Sequence, residues 1–418
     1  MDDVADARTK QTVEATYRIE SSRVIAAAAH VVRDVGIAEE IAQEALVAAL
    51  EQWPESGVPD NPGAWLVTTA KRRAIDLVRR KETYARKLAE VGRTLEDVPP
   101  ADVSEPDDID DDLLRLVFTA CHPVLPQQAR VALTLRLLGG LTTDEIARAY
   151  LSTEPTVAQR IVRAKRKLAE SAVDFELPYG DDRAARLSSV LEVIYLIFNE
   201  GYSATTGEDL VRPALCEDAL RLARVLQGLM PNETDVHGLA ALLEFQASRT
   251  AARSGPDGEP ILLADQDRSR WNTLLIRRGF AALQRAGHGQ YAVQAAIAGC
   301  HANATRYDET DWATIARLYE RLAGLTPSPV VELNRAVAVS MAEGPEAALS
   351  IVDALSGNPA LAGYHLLPSV RGDLLERVGR IEEARDEFER AAALTRNDSE
   401  RRLLQDRAER AKPSVSGS

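Results

Sequence analysis

Aromatic residues make up only 5% of this 418-residue chain, and long alternations of Val, Ile and Thr with polar residues are missing. Strands draw on β-branched and aromatic side chains, so both absences argue against a sheet. Ala, Leu, Glu and Arg dominate instead, and the expected class is all-α. Cys121, Cys216 and Cys300 are odd in number and far apart, which excludes a disulfide framework and a C-x-x-C zinc site. The start, MDDVADARTK, lacks the basic residues and apolar core of a secretion signal, and no run of about 18 apolar residues occurs anywhere. A cytoplasmic protein without a membrane partner is expected. Catalytic signatures are missing too: there is no H-E-x-x-H pair, no Walker-type glycine loop, no G-x-S-x-G elbow and no metal-spaced His/Cys set. The expectation is therefore no enzyme, no catalytic residue, no metal and no cofactor.

An excess of positive charge is also lacking, since the formal net charge is -14. A polyanionic partner is best met by a basic surface, so the whole-chain figure argues against nucleic acid. The charge is segregated, however. Between Gly63 and Leu88 stand Lys71, Arg72, Arg73, Arg79, Arg80, Lys81, Arg86 and Lys87, against only Asp76 and Glu82. Between Asp102 and Asp112 stand seven carboxylates and no base. Such segregation suits a chain that touches DNA with small patches and something else with the remainder.

A second basic segment lies at Leu141 to Leu168, LTTDEIARAYLSTEPTVAQRIVRAKRKL. Thr142 and Glu145 have the spacing of a capping box, so a helix is expected to start there. Leu151-Ser152-Thr153 breaks the pattern, and Pro155 is tolerated in the first turn of a new helix. Val157, Ile161, Ala164 and Leu168 then form one buried stripe. The opposite face carries Thr156, Gln159, Arg160, Arg163, Arg166 and Lys167, while Lys165 borders the stripe. Arg and Gln bond base edges bidentately and Lys and Arg neutralise phosphates, so this unit reads as a helix-turn-helix for a major groove.

The remaining organisation follows from punctuation. Helical stretches at Val13 to Val32, Ala38 to Trp53 and Ala64 to about Lys81 predict a three-helix bundle within residues 1–90. Pro99, Pro100, Pro106 and the acidic run make 91–112 a flexible linker. The helix-turn-helix occupies 113–172, with Phe118, Leu133, Leu137 and Leu138 as core. Leu187, Leu191, Ile194 and Phe198 open a helical extension over 186–320, its first helix ending at Gly201. Over 321–411, Gly372, Leu375, Gly379, Ala384, Phe388 and Ala391 match the small and large positions of a tetratricopeptide unit, with a weaker copy at Ala336, Val339, Gly344 and Ala348. Residues 412–418 read as a disordered tail.

Two DNA-facing patches joined by an acidic linker suit a chain that grips two promoter elements at once. Ala38-Glu39-Glu40-Ile41-Ala42-Gln43-Glu44 resembles the A-E-D-x-x-Q-E signature of region 2 in bacterial sigma factors. Asn61-Pro62-Gly63-Ala64-Trp65-Leu66, followed by Ala70-Lys71-Arg72-Arg73-Ala74-Ile75-Asp76 and Arg79-Arg80, resembles the A-W-L…A-x-x-x-A-I-D-x-x-R-R helix of the same region. The helix-turn-helix falls where region 4 of the extracytoplasmic-function (ECF, group IV) class stands. Val157 to Lys167 is similar to the V-A-Q-R-x-V-R-A-K-x-K helix of ECF members with a long tetratricopeptide-like extension. The start of that helix, Glu154 to Arg160, departs from the glycine-threonine-valine start usual in the wider family.

The resemblance implies roles. Glu40, Gln43 and Glu44 would dock on core RNA polymerase. Lys71, Arg72, Arg73, Asp76, Arg79 and Arg80 would act at the −10 element, which is recognised and melted. Thr156, Gln159, Arg160, Arg163, Lys165, Arg166 and Lys167 would act at the −35 element of promoter DNA. The extension would regulate activity by binding a regulatory protein. Trp65 is open between a base-stacking platform and core packing. Asp265 to Trp271 and Asn199 to Tyr202 are open between helix caps with ion pairs and an acid/base pair. Two other functions fit parts of the sequence: a helix-turn-helix regulator with a ligand- or protein-sensing helical domain, and an enzyme housed in the C-terminal helices.

Overall fold

The computed structural model describes residues 2–91, 109–150, 152–171, 173–202, 212–255, 261–395 and 397–411. Among them the regular elements are helical, and the chain divides into two units, Met1–Ile194 and Tyr195–Ser418.

The first unit begins with α1 (Asp2–Val32), α2 (Val35–Ser56) and α3 (Pro62–Val91), which all pack on one another. Their interface is built on small residues: Ala26, Ala27, Ala28 and Ala29 of α1 and Ala38, Ala42, Ala45 and Ala49 of α2 are buried. Asp34 caps α2 by accepting from the Gly36 and Ile37 amides at 2.7 and 3.0 Å. The predicted stop at Pro54 fails. Pro54 sits in the last turn, where its missing N–H costs one bond, and α2 ends three residues later at Gly57, whose φ of 82° suits glycine.

Four shorter helices follow: α4 (Ile109–Ala120), α5 (Gln127–Leu137), α6 (Thr143–Ala149) and α7 (Glu154–Glu170). Residues 92–108 of the expected linker lie outside the described residues, and 109–112 belong to α4, where Asp112 is buried and accepts from Arg115 at 2.7 Å. Phe118, Leu133, Leu137 and Leu138 are buried, as their apolar spacing required. Helix α8 (Gly180–Tyr202) leads out of this unit, its last residue within the Asn199 to Tyr202 segment expected to end it.

The second unit is a run of helices in which each packs on its neighbours in the chain. These are α9 (Pro213–Leu229), α10 (Thr234–Ser248), α11 (Thr273–Leu283), α12 (Gln290–Asn303), α13 (Trp312–Leu325) and α14 (Pro329–Ala342). The run ends with α15 (Pro345–Leu355), α16 (Leu366–Arg377), α17 (Ile381–Leu394) and α18 (Asp398–Arg410). The expected division at 320/321 falls inside α13. Close helix approach is bought by glycine at two points: a Cβ at Gly279 would lie 2.7 Å from the Phe245 ring, and one at Gly372 would lie 2.8 Å from Phe388. The tail at 412–418 lies outside the described residues.

Candidate nucleic-acid interface

The helix-turn-helix forms as its sequence pattern demands. Thr142 accepts from the Glu145 amide at 3.1 Å and Glu145 Oε2 accepts from the Thr142 amide at 2.8 Å, closing the capping box of α6. Val157, Ile161, Ala164 and Leu168 bury one side of α7. Thr156, Gln159, Arg163, Arg166 and Lys167 are exposed and Arg160 is half-buried, so six of the seven expected −35 residues share the outer side of one helix. Arg166 is paired within the helix to Glu170 at 3.1 Å.

Lys165 stands apart. Its place beside the buried stripe turns it toward α2, where its ammonium bonds Glu39. Arg136 of α5 holds the same carboxylate at 2.6 Å through Nε and the Leu141 carbonyl at 3.1 Å through Nη1. Glu39 is 5% exposed. Burial pushes its pKa up, but the charges and hydrogen bonds of Lys165 and Arg136 outweigh burial and hold the carboxyl below its usual value. Desolvation first and Glu39 second push the half-buried Tyr17 phenol up to about 12. This buried acid, at the edge of the α2 apolar stripe, was not singled out from sequence. Its one signal there was a glutamate beside Ala38 and Ile41, flanking buried positions.

On α3, Arg72, Asp76 and Arg79 recur at i, i+4 and i+7 and are exposed together with Arg80. Lys71 is half-buried. Arg73, by contrast, donates to Glu44 of α2 at 2.7 Å, so an expected −10 residue and an expected docking residue neutralise each other. Asp76 makes no ion pair among the described residues. Trp65 is half-buried and meets the buried Trp53 edge-on, with centroids 5.4 Å apart. Packing of this kind is what holds α3 against α2. On α2, Glu40, Gln43 and Glu44 are exposed around Val47, itself 51% exposed, which leaves an acidic face with an apolar centre.

The two polar sequences of the extension resolve into caps and ion pairs. Asp267 accepts from the Ser269 amide and hydroxyl at 2.9 and 2.7 Å, and Glu200 pairs with Arg212 at 2.5 Å. Among the described residues no His/Cys/Asp/Glu group is arranged to hold a metal, and no helix is long and apolar enough to cross a membrane.

A small helix bundle with one basic helix, followed by a helix-turn-helix with another, defines a promoter-reading protein of sigma-70 type. The Sigma-70 region 2 model matches residues 16–84, the Sigma-70, region 4 model matches 115–168, and a family of unknown function (DUF6596) matches 186–287. The SigK ECF RNA polymerase sigma factor of Mycobacterium tuberculosis is 33% identical over 156 residues, 36% of this chain and 81% of that protein. SigK of Mycobacterium ulcerans is 31% identical over 151 residues, 35% of this chain and 78% of that protein. An uncharacterized protein of Rhizobium meliloti is 45% identical over 377 residues, 88% of each chain. The chain belongs to the ECF RNA polymerase sigma factors, and it carries a C-terminal helical domain beyond regions 2 and 4. It directs transcription initiation through core RNA polymerase and promoter DNA, in a family whose members are not enzymes.

Proposed function

We propose that the first unit is the resting state of a two-handed promoter grip, with α3 as the −10 hand and α7 as the −35 hand. The observation that carries this reading is the Glu39 ion triad, which ties region 2 to region 4 through the flank of the recognition helix. Elements centred near −35 and −10 are separated by some 25 base pairs, or about 85 Å at 3.4 Å per pair. Two helix groups in direct contact do not span that distance. Engagement of core polymerase by Glu40, Gln43 and Glu44 therefore accompanies release of Arg136 and Lys165 from Glu39, and Lys165 then becomes available to phosphate.

Arg72, Arg79 and Arg80 hold phosphates beside the melting strand, with Lys71 and Arg73 flanking them. Asp76 lies between Arg72 and Arg79 on the same exposed face. Opening a base step costs a few kcal/mol, offset by tighter binding of the exposed strand. On α7, Gln159, Arg160 and Arg163 read bases, Thr156 supports the start of the helix, and Arg166 and Lys167 lie nearer phosphates. The extension regulates the grip in the cytoplasm, its stacked helices offering a tetratricopeptide-like surface to a regulatory protein.

Run-off transcription with purified core polymerase and a promoter selected from a random library tests the reading. Initiation is expected only when the chain is present; tight duplex binding without initiation defeats it. In the same assay Arg163→Ala is expected to weaken −35 recognition by about 1 to 3 kcal/mol, as for a lost bidentate base contact. An unchanged sequence preference removes Arg163 from the base-reading set.

A further inference from the structure

The second unit forms a partly open cavity of about 560 Å³, within the range of small-molecule sites. In a chain poor in aromatics, seven aromatic side chains gather on its walls, including two of the four tryptophans. They come from distant parts of the sequence: Tyr195 and Tyr202 from α8, Trp271 from the turn before α11, Trp312 and Tyr319 from α13. Packing alone does not account for them, because they surround open volume.

The polar groups on these walls have one character. The indole nitrogens of Trp271 and Trp312 are shut off from the open volume and have no hydrogen-bond partner among the described residues, so they offer the cavity no donor. Among the described lining residues Arg249 is the one that carries a formal charge. Its Nε donates to the Tyr202 hydroxyl at 2.5 Å, and no hydrogen bond of its two terminal nitrogens is found among the described residues. Behind the wall, Arg268 sits 4.7 Å from the Trp271 ring centre and donates to the Ala304 carbonyl at 2.6 Å. Arg253 stacks on Tyr202, 3.7 Å from its centroid. Burial, Arg249 and Arg268 together push the lining His301 down to about 4, so it is neutral near pH 7 and adds no charge of its own. The acids closest in influence, Glu309 on Arg268 and Glu400 on Arg253, do not line the cavity.

We propose that this cavity is a binding site for a small aromatic carboxylate, its ring held between the aromatic walls and its carboxylate met by Arg249. An aromatic box by itself also suits a quaternary ammonium ion through cation–π attraction. Arg249 on the wall, with Arg253 and Arg268 nearby, disfavours that occupant by repulsion and favours an anion. Gln246, Gln290 and Gln294 supply neutral donors and acceptors for further polar groups on the ring. The site goes beyond promoter recognition and stands whether or not the Glu39 triad acts as a latch.

Calorimetric titration of the full-length protein with 2-naphthoate, 2-naphthamide and 2-naphthylmethylammonium tests it, with tryptophan fluorescence as a second readout. Saturable 1:1 binding of the naphthoate is expected, with the amide weaker by about tenfold or more, the scale of a lost hydrogen bond to a charged group. The ammonium ion is expected not to bind. Arg249→Gln is expected to bring naphthoate affinity down to that of the amide, with the circular dichroism spectrum unchanged. Should that variant fail to fold, the three-ligand comparison on the unaltered protein decides alone. Absence of binding at millimolar naphthoate, equal affinity for amide and carboxylate, or preference for the cation each overturns the proposal.

Discussion

A chain carrying Glu39→Ala is expected to lose the contact between regions 2 and 4 while each remains folded. Glu39 is the sole acid found in the triad, and its removal leaves Arg136 and Lys165 facing each other with no carboxylate between them. Breaking a buried pair in this way costs about 3 to 5 kcal/mol, because the remaining charges are uncompensated. Both bases keep 23% of their side-chain surface open, which places the cost at the lower end. Hydrogen exchange of α2 and α7 amides should rise together, and small-angle scattering should report a larger first unit. Unchanged exchange in both helices would rule out the latch. Because the latch opposes the promoter-spanning arrangement, run-off transcription by the variant is expected to match or exceed that of the unaltered chain.

The same triad predicts a pH response with a definite sign. The Glu39 carboxyl is held below its ordinary value of 4.5, so its contribution to the closed arrangement is fully present above that value. It is lost as the pH falls below 4.5 through the folded-state pKa, where proton uptake competes with Lys165 and Arg136. Opening on acidification should be absent from Glu39→Gln, measured by the same scattering.

The second large effect lies in the extension. Phe388→Ala is expected to destabilise it by about 3 to 5 kcal/mol, the range for deleting a fully buried ring. Phe388 is 0% exposed, lies against Gly372 of α16, and carries the Arg407 guanidinium 4.3 Å from its ring centroid. One substitution thus removes contacts that join α16, α17 and α18. Stacked helices share stability mainly with nearest neighbours, so the loss should concentrate in α15 to α18. Urea denaturation followed by circular dichroism would register it, and a change under about 1 kcal/mol would mean that the site collapses without penalty.

The outward side of α7 was legible because it depends on local periodicity. The stripe Val157, Ile161, Ala164 and Leu168 dictates which side of α7 is outward, whatever it packs against. The capping box at Thr142 and Glu145 depends on residues three apart, and it forms as spaced. Element ends were less legible: α2 passes Pro54, because packing along a buried helix face outweighs a single breaker near the last turn. The pairing of Arg73 with Glu44 was hidden because it crosses between helices, 29 residues apart in the chain.

What the sequence by itself determined is the helical class and its outward chemistry: two basic helices and an acidic α2 face. These follow from propensity, period and charge, which act within a few residues. Only the tertiary structure decided that Glu39 is buried between Arg136 and Lys165, 97 and 126 residues away. It also decided that aromatics spread from Tyr195 to Tyr319 converge on one cavity around Arg249. Ion pairing and cavity formation depend on which helix faces meet, and that is set by the packing of whole helices, whose partners no local pattern names.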